Sequence, residues 1–213
     1  MMRMSTYNGT RSYATTALLA MASSLLLVAC ASTGPSRPAV VEVQDDTGFT
    51  IIEEVQVSGD VRADFDNAML LLQQERYDEG IVLLQDVVER APDVTAAHIN
   101  LGIAYSRVDD LRPAEASIKR ALELNPRHPV AHNELGMIYR KDGRFEEARA
   151  SYQEALEIHP RFHFARLNLA ILCDMYLADT DCALEHYQLY SEAVPGDEEA
   201  AMWISDVRAR ASR

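Results

Sequence analysis

Three cysteines and a single tryptophan are all that 213 residues contain of either type. No Cys-x-x-Cys, no H-E-x-x-H and no glycine-rich phosphate loop occurs. The spacings that zinc sites, zinc proteases or phosphate cradles require are therefore missing. Basic charge is scarce too, with 20 Lys and Arg against 33 Asp and Glu. Such acidity repels phosphate backbones and excludes nucleic acid as the expected partner, while solubility is the simpler use of the charge. The acids are dispersed as on a solvated helical surface, and no Ser, Cys or His constellation suggests a nucleophile. The expectation is a protein without catalysis, cofactor or metal.

What is present is a period. Pro92, Pro126 and Pro160 fall 34 residues apart. Ahead of Pro126 stand Leu101-Gly102, Tyr105, Ala114, Ile118, Ala121 and Leu122; ahead of Pro160 stand Leu135-Gly136, Tyr139, Ala148, Tyr152, Ala155 and Leu156. A fixed period of this length means stacked copies of one supersecondary unit, an architecture that binds other molecules more often than it catalyses. The unit resembles the tetratricopeptide repeat, which implies an all-α solenoid of paired helices A and B. Four units are expected within residues 61–195, at 61–94, 95–128, 129–162 and 163–197. A capping helix at 197–213 follows, with Trp203 in its apolar stripe.

The prolines lie just beyond helix B, where a residue without N–H ends the helix. Small residues are expected where A and B cross, Gly102 against Ala114 and Gly136 against Ala148. The outer units are degraded. In the first, Asn67 and Leu71 replace the usual Leu and Tyr. In the fourth, Cys173 takes the tyrosine position and Ala183, Tyr187 and Pro195 run one residue late, as one insertion around Ala178 to Asp181 would produce. The pattern predicts nine helices: 61–74, 77–90, 94–107, 111–124, 128–141, 145–158, 162–176, 180–193 and 197–211.

Residues 1–29 read as a leader. Arg3 and Arg11 precede an uncharged apolar run from Ala14 to Ala29 that is too short for an ordinary membrane span. The run ends in Leu27-Val28-Ala29-Cys30, which resembles the lipobox of bacterial lipoproteins. That resemblance implies lipidation of Cys30, and Ala31-Ser32 after it implies the outer membrane, facing the periplasm. Loss of the leader would leave 18 basic and 33 acidic side chains, a net charge near −15. Residues 30–60 are expected to be a flexible linker holding an extended apolar segment, Phe49 to Val57. Three fates remain open for that segment: docking along the array, pairing with a partner strand, or disorder.

Export would place Cys173 and Cys182 where thiols oxidise. They stand across a predicted helix-turn-helix, and a disulfide competes with two independent side chains. Six histidines invite a metal reading. Yet Pro129 and Pro160 interrupt the pairs His128/His132 and His159/His163, and His98 and His132 share one repeat position, which favours packing.

In the tetratricopeptide family helix A lines the concave groove. The corresponding residues here are Phe65, Met69, Ile99, Ile103, Asn133, Met137, Phe164, Leu167 and Ile171, with Arg140 one turn further on. Chaperone-binding members use Lys and Asn to clamp a C-terminal carboxylate, and this chain lacks that set. An apolar groove suits a hydrophobic helix or extended segment, at about 25 cal/mol per Å² buried. Two competing readings are side chains packed on one another and a groove filled by residues 49–57. The expected function is a noncatalytic scaffold or adaptor for protein partners of the cell envelope, held to the membrane by its lipid. A carrier holding a lipid or peptide in the groove is the alternative.

Overall fold

The structure is a computed structural model that describes residues 39–44 and 50–212, with side chains from Gln56 onward. The leader, the lipobox and Cys30 lie outside the described residues. Among the described residues nine helices follow one another: α1 (Gly59–Gln73), α2 (Tyr77–Arg90), α3 (Thr95–Arg107), α4 (Leu111–Leu124), α5 (Pro129–Lys141), α6 (Phe145–Ile158), α7 (His163–Met175), α8 (Thr180–Ala193) and α9 (Glu198–Ala211). Each start and stop lies within two residues of the position that the repeat pattern predicts.

Helices pair as A with B: α1 on α2, α3 on α4, α5 on α6 and α7 on α8. Each B helix also packs on the next A helix, and α8 packs on α9. The A helices touch along the array as well, α1 on α3, α3 on α5 and α5 on α7, whereas no B helix packs comparably on the next B helix. The A layer is therefore the shorter, inner one, and its inward row is the face a partner can reach.

Ahead of the array stands a hairpin. β1 (Ala39–Gln44) pairs antiparallel with β2 (Thr50–Val55), in a register that runs from Ala39 opposite Val55 to Gln44 opposite Thr50. The extended segment thus finds its partner in the stretch just upstream, which sequence reading assigns to the linker. Neither strand is among the elements packed extensively on a helix. From Val57 onward the chain is tied in, since Val57 packs with Val61, Val87 and Val94.

Inside the second and third units the crossing of A and B depends on a missing side chain, where the first and fourth units have Ala68 and Ala170. A Cβ on Gly102 would lie 2.6 Å from Ile118 and 3.1 Å from the Ala114 carbonyl oxygen. On Gly136 it would lie 2.5 Å from the Tyr152 ring, with Ala148 not among its nearest neighbours. The close partner in the third unit is therefore Tyr152 rather than Ala148. Leu84, Ile118 and Tyr152, 34 residues apart, are fully buried beneath these crossings. Each is worth roughly 1.5–3 kcal/mol of apolar burial.

The A–B turns close on a repeated bond. The N–H of Arg76, Asp110 and Arg144 donates to the carbonyl of Leu71, Tyr105 and Tyr139, at 2.9, 3.0 and 2.8 Å. One residue in each turn takes a left-handed backbone: Glu75 (φ 59°), Asp109 (φ 66°) and Gly143 (φ 76°). In the fourth unit that residue is Ala178 (φ 52°), and Asp179 N–H reaches Cys173 O at 2.9 Å across one residue more. The left-handed residue is itself late, so the extra residue lies at Tyr176-Leu177, ahead of the position inferred from sequence. Finally α9 covers the array end. Trp203 lies 5.5 Å from the Tyr187 ring and 6.5 Å from that of Tyr190, and Arg210 bonds Asp174 of α7 at 2.6 Å.

Candidate functional site

The inward row of the A helices is mostly apolar and partly open. Phe65 and Met69 on α1, Ile103 on α3, Met137 on α5, and Leu167 and Ile171 on α7 are half-buried, and Phe164 is exposed. Ile99 and Asn133 belong to the same row but are only 4% exposed. Those two are therefore supports beneath the face rather than contacts on it. Arg62, at the row's open end, is exposed.

A chain of amides crosses the row. Asn168 Nδ2 donates to Asn133 Oδ1 at 2.9 Å, and Asn133 Nδ2 donates to Glu134 Oε1 at 3.2 Å. Asn100 donates to the Ala96 carbonyl at 2.8 Å. Asn100, Glu134 and Asn168 occupy one repeat position, 34 residues apart. That recurrence was visible in the sequence and marks a polar stripe beside the apolar one. Buried Asn133 is satisfied by these bonds, as a buried amide must be.

Arg140 stands one helical turn beyond Met137, with its guanidinium 6.0 Å from the centre of the Tyr176 ring. Tyr176 also packs on Phe145, with ring centroids 4.9 Å apart. The fully buried Tyr152 hydroxyl lies near this group: burial raises its pKa well above the ordinary phenol value, and Arg140 pulls against that rise.

Cys173 and Cys182 form a disulfide between α7 and α8, with Cα atoms 5.9 Å apart. Asp179 completes the one cluster of three metal-ligating residue types among the described residues. Both sulfurs are used in the bond, and Asp179 has its own tasks. It caps α8 by accepting from Cys182 N–H at 3.1 Å and binds Arg149 at 2.9 Å. The Cys182 N–H first, and Arg149 after it, hold the Asp179 carboxyl below its usual range.

The histidines also have structural places. His98 and His132 each set Nε2 2.9 Å from a proline carbonyl oxygen, Pro92 and Pro126 respectively. His128 is buried at the start of α5, where its Nδ1 accepts from Ala131 N–H at 3.2 Å. These three histidines are thus assigned to turns and caps. No helix among the described residues is long and apolar enough to cross a membrane.

A family model described as the tetratricopeptide repeat matches residues 65–111 and 99–161. Residues 65–161 thus match the tetratricopeptide repeat, and the array that contains them is an all-α helical-repeat fold of the same kind. No curated protein matches the chain. Among solved structures, PilF of Pseudomonas aeruginosa is similar, at 19% identity and a TM-score of 0.65 over 71% of this chain and 69% of that one. A thermophilic TPR protein of Thermus thermophilus is 23% identical, with a TM-score of 0.63 over 71% and 82%. The first TPR domain of Spaghetti (RPAP3), bound to an HSP90 peptide, is 24% identical, with a TM-score of 0.54 over 57% and 96%. At these identities the likeness shows the fold alone. Arrays of this class are generally noncatalytic scaffolds that bind protein partners.

Proposed function

We propose that this protein is a noncatalytic adaptor of a Gram-negative cell envelope, lipidated at Cys30, anchored in the outer membrane and facing the periplasm. It holds a polypeptide partner along the inner row of its A helices. The observation that carries the binding reading is that row: Phe65, Met69, Ile103, Met137, Phe164, Leu167 and Ile171 stay partly open at the shorter layer of the array. Apolar surface left in contact with water at a concave face is where a partner gains most by docking. The RPAP3 domain, similar in fold, carries its peptide as a tetratricopeptide-repeat protein.

The anchor rests on the sequence Leu27-Val28-Ala29-Cys30 and on the polar stretch after it. Several acyl chains at Cys30 would hold far more firmly than one, at about 0.8 kcal/mol per buried CH₂. Pilus assembly and recruitment of cell-wall enzymes are the two envelope roles put forward, and the fold likeness to PilF favours the first.

Crosslinking in whole cells followed by recovery from membranes tests both parts. A stoichiometric protein partner should be recovered with the wild type and lost with the double change Ile103→Glu and Met137→Glu, with helicity unchanged. Capture that survives this change places the binding face elsewhere. Bound lipid without protein would instead support the carrier. Cys30→Ser should release the protein from membranes; unchanged association refutes the anchor.

A further inference from the structure

Five arginines among the described residues are half-buried: Arg120, Arg140, Arg144, Arg149 and Arg166. Arg120 faces Glu123 at 2.9 Å, Arg144 faces Glu115 at 2.7 Å and Arg149 faces Asp179 at 2.9 Å. Arg166 donates to the Pro160 carbonyl at 2.5 Å. Arg140 differs from all four: it has neither a carboxylate at ion-pair distance nor a backbone carbonyl among the described residues. What it has is the face of the Tyr176 ring at 6.0 Å and the neighbouring Tyr152 hydroxyl. In so acidic a chain, a half-buried guanidinium with no carboxylate at ion-pair distance among the described residues is unusual. Partial burial costs a cation its hydration, and a bidentate carboxylate is the partner that restores most of it.

The surroundings extend the argument. Tyr176 follows α7 directly, where Asp142 stands one period earlier after α5, so an aromatic ring replaces an acid at this point of the fourth A–B turn. It rests on Phe145 at 4.9 Å and is 48% exposed, beside Met175 at 69%. A cation seated on an aromatic face and flanked by open apolar side chains offers one charged contact and one greasy one, side by side. The fully buried Tyr152 hydroxyl lies beneath Arg140 and out of a ligand's reach, so the guanidinium and the exposed Tyr176 ring are the groups that a ligand can meet.

We propose that Arg140, Tyr176 and Met175 form a subsite at the A–B-turn end of the inner row that reads an Asp or Glu side chain next to an apolar residue of the bound polypeptide. The proposal rests on the reading of the array as a polypeptide-binding scaffold and names what that polypeptide must carry. It differs from a clamp for chain ends, because the Lys and Asn set that clamps a C-terminal carboxylate in chaperone-binding members is missing from this row.

The test is selection of random dodecapeptides, displayed without a free C-terminus, on the full chain in detergent. The expected result is enrichment of peptides with an acid beside an aliphatic or aromatic residue. Arg140→Gln should weaken a selected peptide about tenfold or more. Arg140→Lys, which keeps the charge, should recover part of the loss, and the exposed Arg112→Gln should change nothing. Circular dichroism of each variant separates lost binding from lost fold; should Arg140→Gln not fold, Arg140→Lys against wild type still reads the loss of the bidentate contact. Neutral or basic peptides that bind through Ile103 and Met137 would overturn this subsite and leave the scaffold standing. Acidic peptides retained in full by Arg140→Gln would overturn it too. No selected peptide at all would overturn both readings.

Discussion

His132 sets its Nε2 2.9 Å from the carbonyl oxygen of Pro126, six residues earlier, and so fastens the start of α5 to the turn before it. A carbonyl can only accept, so Nε2 carries the hydrogen. His98 makes the same bond to Pro92 at 2.9 Å, and Arg166 serves Pro160 at 2.5 Å. Three consecutive inter-repeat turns are thus held by the same position with different donors. His132→Leu removes the donor and should cost about 0.5–1 kcal/mol, since a net hydrogen bond is worth that much and the carbonyl is partly hydrated. Thermal unfolding should shift down by about 2–4 °C per kcal/mol for a domain of this size. His132→Arg should lose much less, because Arg166 already does this work one unit later. Equal losses in the two variants would show that ring packing, and not the bond, is what matters.

Ala178 and Gly143 occupy the same left-handed place in their A–B turns, at φ 52° and φ 76°. Glycine accepts that backbone freely, whereas a Cβ costs about 1 kcal/mol there. Ala178→Gly should therefore stabilise the protein, although glycine elsewhere loosens a chain. Gly143→Ala should destabilise it by a similar amount, with nothing within 4 Å to clash. Urea titration of both variants is the check, with opposite shifts in midpoint at unchanged slope.

These turns also show where sequence is readable and where it is not. Gly102, Tyr105, Pro126 and their partners one period later mark the frame because the crossing, the core and the helix end each demand one residue type. Gly143 signals its turn for the same reason. Glu75, Asp109 and Ala178 take the same backbone without any such signal, so the extra residue at Tyr176-Leu177 was legible only as a shift in what followed. The hairpin was half legible: β2 alternates, but β1 follows Pro35 and Pro38 and reads as part of the linker. At the candidate site the apolar row could be placed from the repeat alone. Burial of Ile99 and Asn133 could not, because it depends on the neighbouring A helices. The Arg140–Tyr176 contact joins residues 36 positions apart through a turn that departs from the repeat.

The Cys173–Cys182 bond closes a loop with a sequence separation of 9 and ties α7 to α8 at the end of the array. In the chain-entropy account a loop this short contributes roughly 2.5 kcal/mol through the unfolded state. A Cys173→Ala, Cys182→Ala double variant should unfold at lower denaturant than the wild type, and reductant should move the wild type toward the variant. The variant itself should ignore reductant. A wild type indifferent to reductant would mean that the bond contributes nothing to stability.

His186 on α8 supplies a pH dependence. Burial is the main cause that lowers its pKa, and Arg166, whose Nη1 lies 3.4 Å from His186 Nδ1, adds to the effect. The unfolded chain takes up the proton near pH 6.5, while the folded chain resists until lower pH. Above about pH 6.5 both states are neutral and nothing is lost. As pH falls below that, the unfolded state binds more protons, so stability declines until the folded histidine also titrates. His186→Gln removes this group, and its stability should decline less than that of the wild type between pH 7 and pH 5. The carboxylates held low, such as Asp179 with its Cys182 N–H and Arg149, contribute a separate loss only at more acid pH. Denaturant midpoints measured at half-unit steps from pH 7.5 to pH 4.5 resolve the two phases. A single decline that begins below pH 5 in both proteins would remove His186 from the account.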